Sequence, residues 1–144
     1  MSFGGSFEVF VQGFEEGALR VVALRGRERL SRPYTMDVTV AARDVDETRL
    51  AAEAIGRAAR LVVHGAAGPR VIRGVVSRAR SAGRHLHDRG AWEIRIVPRL
   101  ALLRHRRNSR IFQDRTVIEI VNAVLGEAMI PVRWEAEQAY VPRS

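Results

Sequence analysis

The stretch Asn108-Ser-Arg-Ile-Phe-Gln-Asp-Arg-Thr-Val-Ile-Glu-Ile-Val-Asn-Ala-Val-Leu125 predicts a loop that leads into a helix with a sharply defined start. Thr116 and Glu119 have the spacing of a capping box, in which each side chain accepts a hydrogen bond from the other residue's backbone N–H. Gly126 is the candidate left-handed cap at the C-terminal end, and Pro131 follows it. Apolar residues recur at helical spacing on one face, which we expect to pack on a core. They are Val117, Ile120, Val121, Val124 and Leu125.

Upstream of this helix, short segments alternate apolar and polar residues, as half-buried β-strands do. We expect residues 7–11 and 19–24 to form an opening hairpin across the turn at Glu15-Glu16-Gly17. Later strands are predicted at residues 34–40, 61–63, 71–76, 92–96 and 132–134.

The connections between these strands carry turn and helix signals. Residues 65–69 and 81–90 read as hairpin turns, and Pro98 should end the strand before it. A short helix is predicted over residues 46–55, with Asp46 as its N-cap and Gly56 closing it. Residues 100–103 are expected to connect the last of these strands to the C-terminal helix.

Several short strands separated by turns predict a mainly β protein of the α+β type. We expect a small antiparallel β-barrel with one short inserted helix and one C-terminal amphipathic helix. Residues 1–103 should form the barrel. Residues 104–144 should hold a strand or loop, the capped helix and the start of a following segment.

Composition limits the possible functions. The net charge is +8 and the 24 basic residues are all Arg, so a free-standing basic β-barrel that binds nucleic acid non-specifically is one hypothesis. Against it, the arginines are dispersed and there are only two Trp, two Tyr and five Phe for base stacking. The absence of Cys excludes disulfides and thiolate metal sites. No apolar run approaches the roughly 20 residues that cross a bilayer, and no signal peptide is evident.

Few residues suit catalysis or metal binding. His85 and His87 could lie on one face of a strand, but two imidazoles do not supply the three or four ligands of a metal site. Gly83 and Gly90 flank them, which favours a solvated hairpin tip. There is no nucleophile elbow, phosphate-binding loop or dinucleotide fingerprint. The sequence therefore predicts no catalytic residue, no cofactor and no metal site.

Three motifs occur in order along the chain: Arg29-Leu-Ser-Arg-Pro-Tyr34, Arg70-Val-Ile-Arg-Gly74 and Asn108-Ser-Arg-Ile-Phe-Gln113. With the helix that follows, they resemble the N-terminal hub region of the valine-glycine repeat (VgrG) spike proteins of type VI secretion. These belong with phage late control protein D and the contractile-tail baseplate hubs. Glu28 lies one place closer to the leucine than the family has it, and Ile72 stands where an aromatic is usual. The matching positions are Leu30, Ser31, Pro33, Tyr34, Gly74, Asn108, Ser109, Arg110, Ile111, Phe112 and Gln113.

The resemblance covers only the opening part of a family member and implies a structural role without enzymatic activity. In that family, two similar barrels per chain form a homotrimeric hub between a hexameric tube protein and a β-helical spike. Residues 1–103 would be the first hub barrel. Baseplate proteins and secreted effectors are further implied partners. No specific nucleic acid and no membrane-spanning segment is expected.

The same resemblance implies a place of work. Assembly would occur in the bacterial cytoplasm, followed by export through the contractile machine or retention in a virion-like tail. Exposed Arg side chains favour protein interfaces, so we single out five of them as candidate partner contacts. These are Arg84, Arg89, Arg104, Arg106 and Arg107.

Overall fold

Six antiparallel strands form one curved sheet in the computed structural model, which describes residues 6–42, 47–85, 89–135 and 141–142, with backbone alone at 47–49, 84–85 and 89. The strands are β1 (Phe7–Val11), β2 (Leu19–Arg29), β3 (Arg32–Ala42), β4 (Ala58–Gly65), β5 (Gly68–His85) and β6 (Arg89–Val97). The helices are α1 (Glu47–Ala54), a 3₁₀ helix (Arg99–His105) and α2 (Val117–Glu127).

The order of strands in the sheet is β1-β4-β5-β6-β3-β2. The two end strands, β1 and β2, come close to each other, so the sheet curves into a half-barrel. This confirms the predicted mainly β class with antiparallel strands and short helices. Residues 1–101 and 102–144 form separate compact units. The assignment of residues 1–103 to a first hub barrel stays a prediction.

The core lies on the concave side of the sheet. The side chains of each strand alternate between its two faces, so every second residue of a strand points into this core. Val38 and Val40 of β3 and Ile94 and Ile96 of β6 are fully buried there. Helix α1 adds Leu50, also fully buried, and Gly56 follows it with a φ of +82° that ends the helix as predicted. The predicted N-cap, Asp46, lies outside the described residues.

The predicted strands at 34–40, 61–63, 71–76 and 92–96 lie within β3, β4, β5 and β6. The predicted opening hairpin is wrong, because β1 pairs with β4, from Phe7 opposite Val63 to Val11 opposite Ala59. β2 pairs with β3 instead. Alternation fixes which face of a strand is buried but carries no information about its partner, and here the partner of β1 is distant in sequence.

The hairpin between β5 and β6 is longer than expected. The sequence predicted a turn over residues 81–90, whereas β5 continues to His85 and β6 begins at Arg89. Two register shifts, between Val76 and Arg78 and between Ser81 and Gly83, let the long strand bend while it remains paired. Residues 86–88 lie outside the described part of the chain.

Helix α2 starts as predicted. Thr116 Oγ1 accepts a hydrogen bond from the Glu119 N–H at 3.2 Å, and the Thr116 N–H donates to Glu119 Oε2 at 2.7 Å. The bond from the Thr116 N–H, together with one that Thr116 Oγ1 donates to the same carboxylate oxygen at 3.0 Å, lowers the pKa of Glu119 below its ordinary value. The predicted cap at Gly126 is wrong, since the helix continues to Glu127 and the left-handed residue is Met129, with a φ of +53°.

Two further expectations for this region are wrong. No side chain of α2 is buried, so its apolar stripe is at most half-buried, and Val117 and Val124 are 40% and 37% exposed. Residues 131–135 form no strand, and Trp134 instead donates its indole N–H to Asn122 Oδ1 at 2.8 Å. Residues 100–103 do lie between β6 and α2 as expected, within the 3₁₀ helix.

Candidate interaction sites

The first two sequence motifs meet at one end of the sheet. Strand β6 ends at Val97, before Pro98, and Val97 is paired with Val75 of β5. The residues of β5 before Val75 therefore lie beyond the end of β6. Beyond that point the Tyr34 hydroxyl, from β3, donates a hydrogen bond to the Arg73 carbonyl oxygen. Burial raises the pKa of Tyr34, and the charge of Glu28 raises it further. Tyr34 therefore joins β3 to β5 where the intervening strand has ended.

Gly74 lies at the same junction. A Cβ on this residue would stand 2.3 Å from the Val97 carbonyl oxygen and 3.0 Å from the Tyr34 hydroxyl. Only glycine fits such a close approach of backbone and side chain. A second link beside it pairs the Arg70 guanidinium with the Glu28 carboxylate, at 3.0 Å from Nη1 to Oε2. Tyr34 and Gly74 thus have a structural role, because they hold β3, β5 and the end of β6 together.

Leu30 and Ser31 form the turn between β2 and β3. Ser31 takes a left-handed conformation with a φ of +58°, and Leu30 is 96% exposed. Pro33 follows as an exposed residue at the start of β3. An apolar side chain at the tip of a hairpin contributes nothing to the core.

The third motif lines a cleft of about 610 Å³ in the C-terminal unit. Asn108, Arg110 and Phe112 face the cleft, whereas the alternate residues Ser109, Ile111 and Gln113 do not line it. Ile111 is 89% exposed. The alternation is that of an extended segment with one side against the cleft. The other residues that line it are Leu103, His105, Arg106, Arg107, Val124 and Glu127.

Two arginines of the cleft are tied to the C-terminal end of α2. Arg110 forms a two-pronged ion pair with Glu127, which lowers the pKa of that carboxyl. Arg106 donates to the Glu127 carbonyl oxygen at 3.3 Å, where a cation also complements the helix dipole. Arg107 has no carboxylate partner among the described residues. The lining of the cleft thus combines the apolar side chains of Leu103, Phe112 and Val124 with positive charge.

A network of charged side chains crosses the convex face of the sheet. Arg95 of β6 donates to Asp37 of β3 from Nε at 2.6 Å and from Nη2 at 3.0 Å. On β5, Arg80 donates to Glu93 through Nε at 3.1 Å and Nη2 at 2.9 Å, and Arg78 reaches the same carboxylate at 3.0 Å. The hydrogen bonds from Arg95 lower the pKa of Asp37, and those from Arg80 lower the pKa of Glu93.

The family is decided by comparison with known proteins. Residues 27–144 match the family model described as "Phage tail baseplate hub (GPD)". The chain belongs to the phage tail baseplate hub family. This match confirms the family resemblance that the three motifs predicted, and all three motifs lie within the matched residues.

The hub fold recurs in a solved structure. That structure is of the E. coli c3393 protein, described as a component of the type VI secretion system with structural similarity to the T4 bacteriophage tail proteins gp27 and gp5. The TM-score is 0.76 at 24% identity over 94% of this chain, which shows a shared fold. This chain spans 37% of the length of that one. None of the curated proteins matches the present chain.

The structure brings only some of the predicted contact residues together. Arg106 and Arg107 line the cleft, whereas Arg104 does not and directs Nε toward its neighbour His105 at 3.4 Å. Arg84 and Arg89 lie at the paired ends of β5 and β6, and their side chains are outside the described set. Their role as partner contacts stays a prediction.

Sequence reasoning missed the network on the convex face. Each of its members is an ordinary charged residue at an outward position, and the signal would have been the register between the three strands β3, β6 and β5. That register depends on long-range pairing and on a bulge in β5. Within the described ranges there is no group of three or more His, Cys, Asp or Glu residues that could hold a metal ion. Nor is there, in the same ranges, a helix long and apolar enough to span a membrane.

Proposed function

We propose that this hub chain is a structural subunit of a contractile injection machine, either a phage tail or a type VI secretion system. The single observation that carries the proposal is the family match over residues 27–144. The fold shared with a type VI secretion component supports it. The subunit acts through its shape: a stable collar transmits the force of sheath contraction to the spike and needs no chemical step.

We infer that the full-length protein is a homotrimer that docks a hexameric tube protein on one side and baseplate proteins around it. A threefold ring of chains with two similar barrels each matches a sixfold tube, because cyclic symmetries of this kind can share one axis. Secreted effectors are further partners. Assembly takes place in the bacterial cytoplasm, before export or incorporation into a tail.

Light scattering on the full-length protein tests this assembly. The expected mass is that of three chains, and it should not change on dilution. A mass of a single chain at all concentrations would contradict the hub assignment. Electron micrographs of the trimer should show a ring with threefold symmetry, and a filament would contradict the closed assembly.

Within this function, the cleft of the C-terminal unit is proposed as a partner contact. Its apolar lining and the positive charge of Arg106 and Arg107 suit a segment that carries apolar and acidic side chains. Arg107→Ser should weaken binding of purified tube or baseplate protein by about three- to tenfold without unfolding the chain. Arg133→Ser, outside the cleft and 87% exposed, is the matched control. Equal effects of both changes would exclude the cleft.

The alternative of a nucleic-acid-binding barrel has no support from the comparisons. Any affinity for DNA should come from neutralised phosphates and fall steeply with salt, because few aromatic rings are free for stacking. Base-selective binding that persists at physiological salt would favour the alternative over the hub.

A further inference from the structure

The convex face of the sheet carries a row of charged residues on four neighbouring strands. The register places Arg25 of β2 opposite Asp37 of β3, Asp37 opposite Arg95 of β6, and Arg95 opposite Arg78 of β5. Val38, the neighbour of Asp37, is fully buried in the core. Because successive residues of a strand face opposite sides, the charged row points away from that core.

Positive charge is in excess on this face. Arg27 lies two residues from Arg25 along β2, and its charge helps to lower the pKa of Asp37. Neither Arg25 nor Arg27 has a carboxylate partner in the described part of the chain. Five guanidinium groups and two carboxylates lie in this row, so three positive charges are left without a compensating negative charge. The guanidinium groups are those of Arg25, Arg27, Arg78, Arg80 and Arg95, and the carboxylates are those of Asp37 and Glu93.

The two carboxylates lie beneath the guanidinium groups. The side chains of Asp37 and Glu93 are 15% and 22% exposed, whereas those of Arg78 and Arg80 are 43% and 59% exposed. Anything that approaches the face therefore meets guanidinium groups first. The carboxylates also hold three of these arginines in place, so less side-chain entropy is lost when a partner binds them.

We propose that this basic face docks an acidic surface of a neighbouring protein subunit, whose Asp and Glu side chains pair with the five arginines. The proposal rests on the function proposed above, in which the chain works among protein neighbours. Guanidinium groups bind carboxylates through two parallel hydrogen bonds, which adds orientation to the attraction. A second copy of this chain is a poor partner because each copy carries a net charge of +8.

Nucleic acid fits the face less well than an acidic protein does. Binding of single strands relies on aromatic rings that stack with bases. Trp92 of β6 is 5% exposed and part of the core, and Tyr34 of β3 bonds to β5 at the sheet's end. Among the described residues of the four strands, no aromatic ring lies on the convex face.

The test uses the whole chain and two probes, an oligoglutamate peptide and an oligothymidylate of equal charge, with binding mapped by nitrogen-15 NMR. At about 50 mM salt, the double variant Arg25→Ser/Arg27→Ser should bind oligoglutamate about tenfold more weakly than the wild type. These two arginines are suitable because neither holds a carboxylate of the network. Arg133→Ser removes an exposed arginine elsewhere and should change the affinity less than about twofold.

Three results would overturn the proposal. One is a set of peptide-induced shifts outside β2, β3, β5 and β6, and another is an equal loss of affinity in the control variant. The third is tighter binding of oligothymidylate than of oligoglutamate at the same face, which would mark a phosphate site. A full-length protein that forms no trimer would contradict the proposed function while leaving the peptide result unchanged, so the two failures are distinguishable.

Discussion

Gly74 is the residue where the sheet leaves no room for a side chain. A Cβ there would meet the Val97 carbonyl oxygen at 2.3 Å, and that oxygen belongs to a paired strand that cannot move freely. We expect Gly74→Ala to destabilise the chain by about 1–3 kcal/mol, the usual cost of overpacking. Thermal melts should show a lowered midpoint.

Gly65→Ala is the matched control for this change. Gly65 is also in a strand, and the nearest atom to its Cβ would be the Gly68 carbonyl oxygen at 4.0 Å, an ordinary contact. Its melting midpoint should stay close to that of the wild type. Equal midpoints for the two variants would mean that the backbone at Val97, the end of β6, moves away from Gly74 at little cost.

Asp37 makes the stability of the sheet depend on pH. Hydrogen bonds from Arg95 lower its pKa in the folded chain, and its ordinary value when unfolded is about 3.9. Its contribution is therefore complete above that value and is lost as the pH falls through the lower pKa of the folded state. Asp37→Asn should reduce stability by about 1–3 kcal/mol at pH 7.

Urea unfolding at neutral and acidic pH measures this difference. The gap between the wild type and Asp37→Asn should narrow as the pH falls from about 4 through the lower pKa of the folded state, because the carboxyl of the unfolded wild-type chain takes up its proton first. Glu135→Gln removes a carboxylate that is 75% exposed and pairs with Arg133, and it should have almost no effect at either pH. A gap that stays constant with pH would show that the charge of Asp37 is not what stabilises the sheet.

At the scale of elements, the two amphipathic patterns of the chain differ in how deeply they bury their apolar side chains. The alternation in β3 places Val38 in the core with no exposure, whereas the helical stripe of α2 leaves Val124 37% exposed. Val38→Asp should unfold the first unit, since an unpaired charge in a core costs several kcal/mol out of a total of about 5–15. Val124→Asp should change stability by less than about 0.5 kcal/mol. Circular-dichroism melts of both variants decide this, and an early loss of helix in Val124→Asp would show that the stripe is covered after all.

Local patterns were sufficient for most elements and insufficient for their pairing. The alternation around Val38 and Ile94 predicted two central strands, and the Thr116–Glu119 spacing predicted the start of α2, because both signals act between near neighbours. The partner of β1 and the charged row on the convex face depend on contacts between residues far apart in sequence. The third motif was recognised by its residues, yet only the structure shows that alternate members line a cleft.

At the scale of the whole molecule, charge and exposed strand edges act in opposite directions. β2 lies at one end of the sheet and has β3 as its hydrogen-bonded neighbour, which leaves backbone groups that could pair with another chain. Four of the residues along β2 are arginines with exposed side chains, and charged side chains on an edge oppose such pairing. They are Arg20, Arg25, Arg27 and Arg29.

The balance between these effects should shift with salt. At about 20 mM salt, repulsion between copies that each carry +8 should keep this chain a monomer of 16.1 kDa. Screening at about 500 mM should permit weak self-association through exposed edges and apolar side chains such as Leu30 and Ile111, which are 96% and 89% exposed.

Binding of an acidic partner should respond to salt in the opposite direction, since attraction is screened as well. Light scattering across this range measures the first effect, and the proposed oligoglutamate titration measures the second. Self-association that is strongest at low salt would mean that copies attract each other through opposite charges, which would contradict the acidic-partner proposal for the convex face.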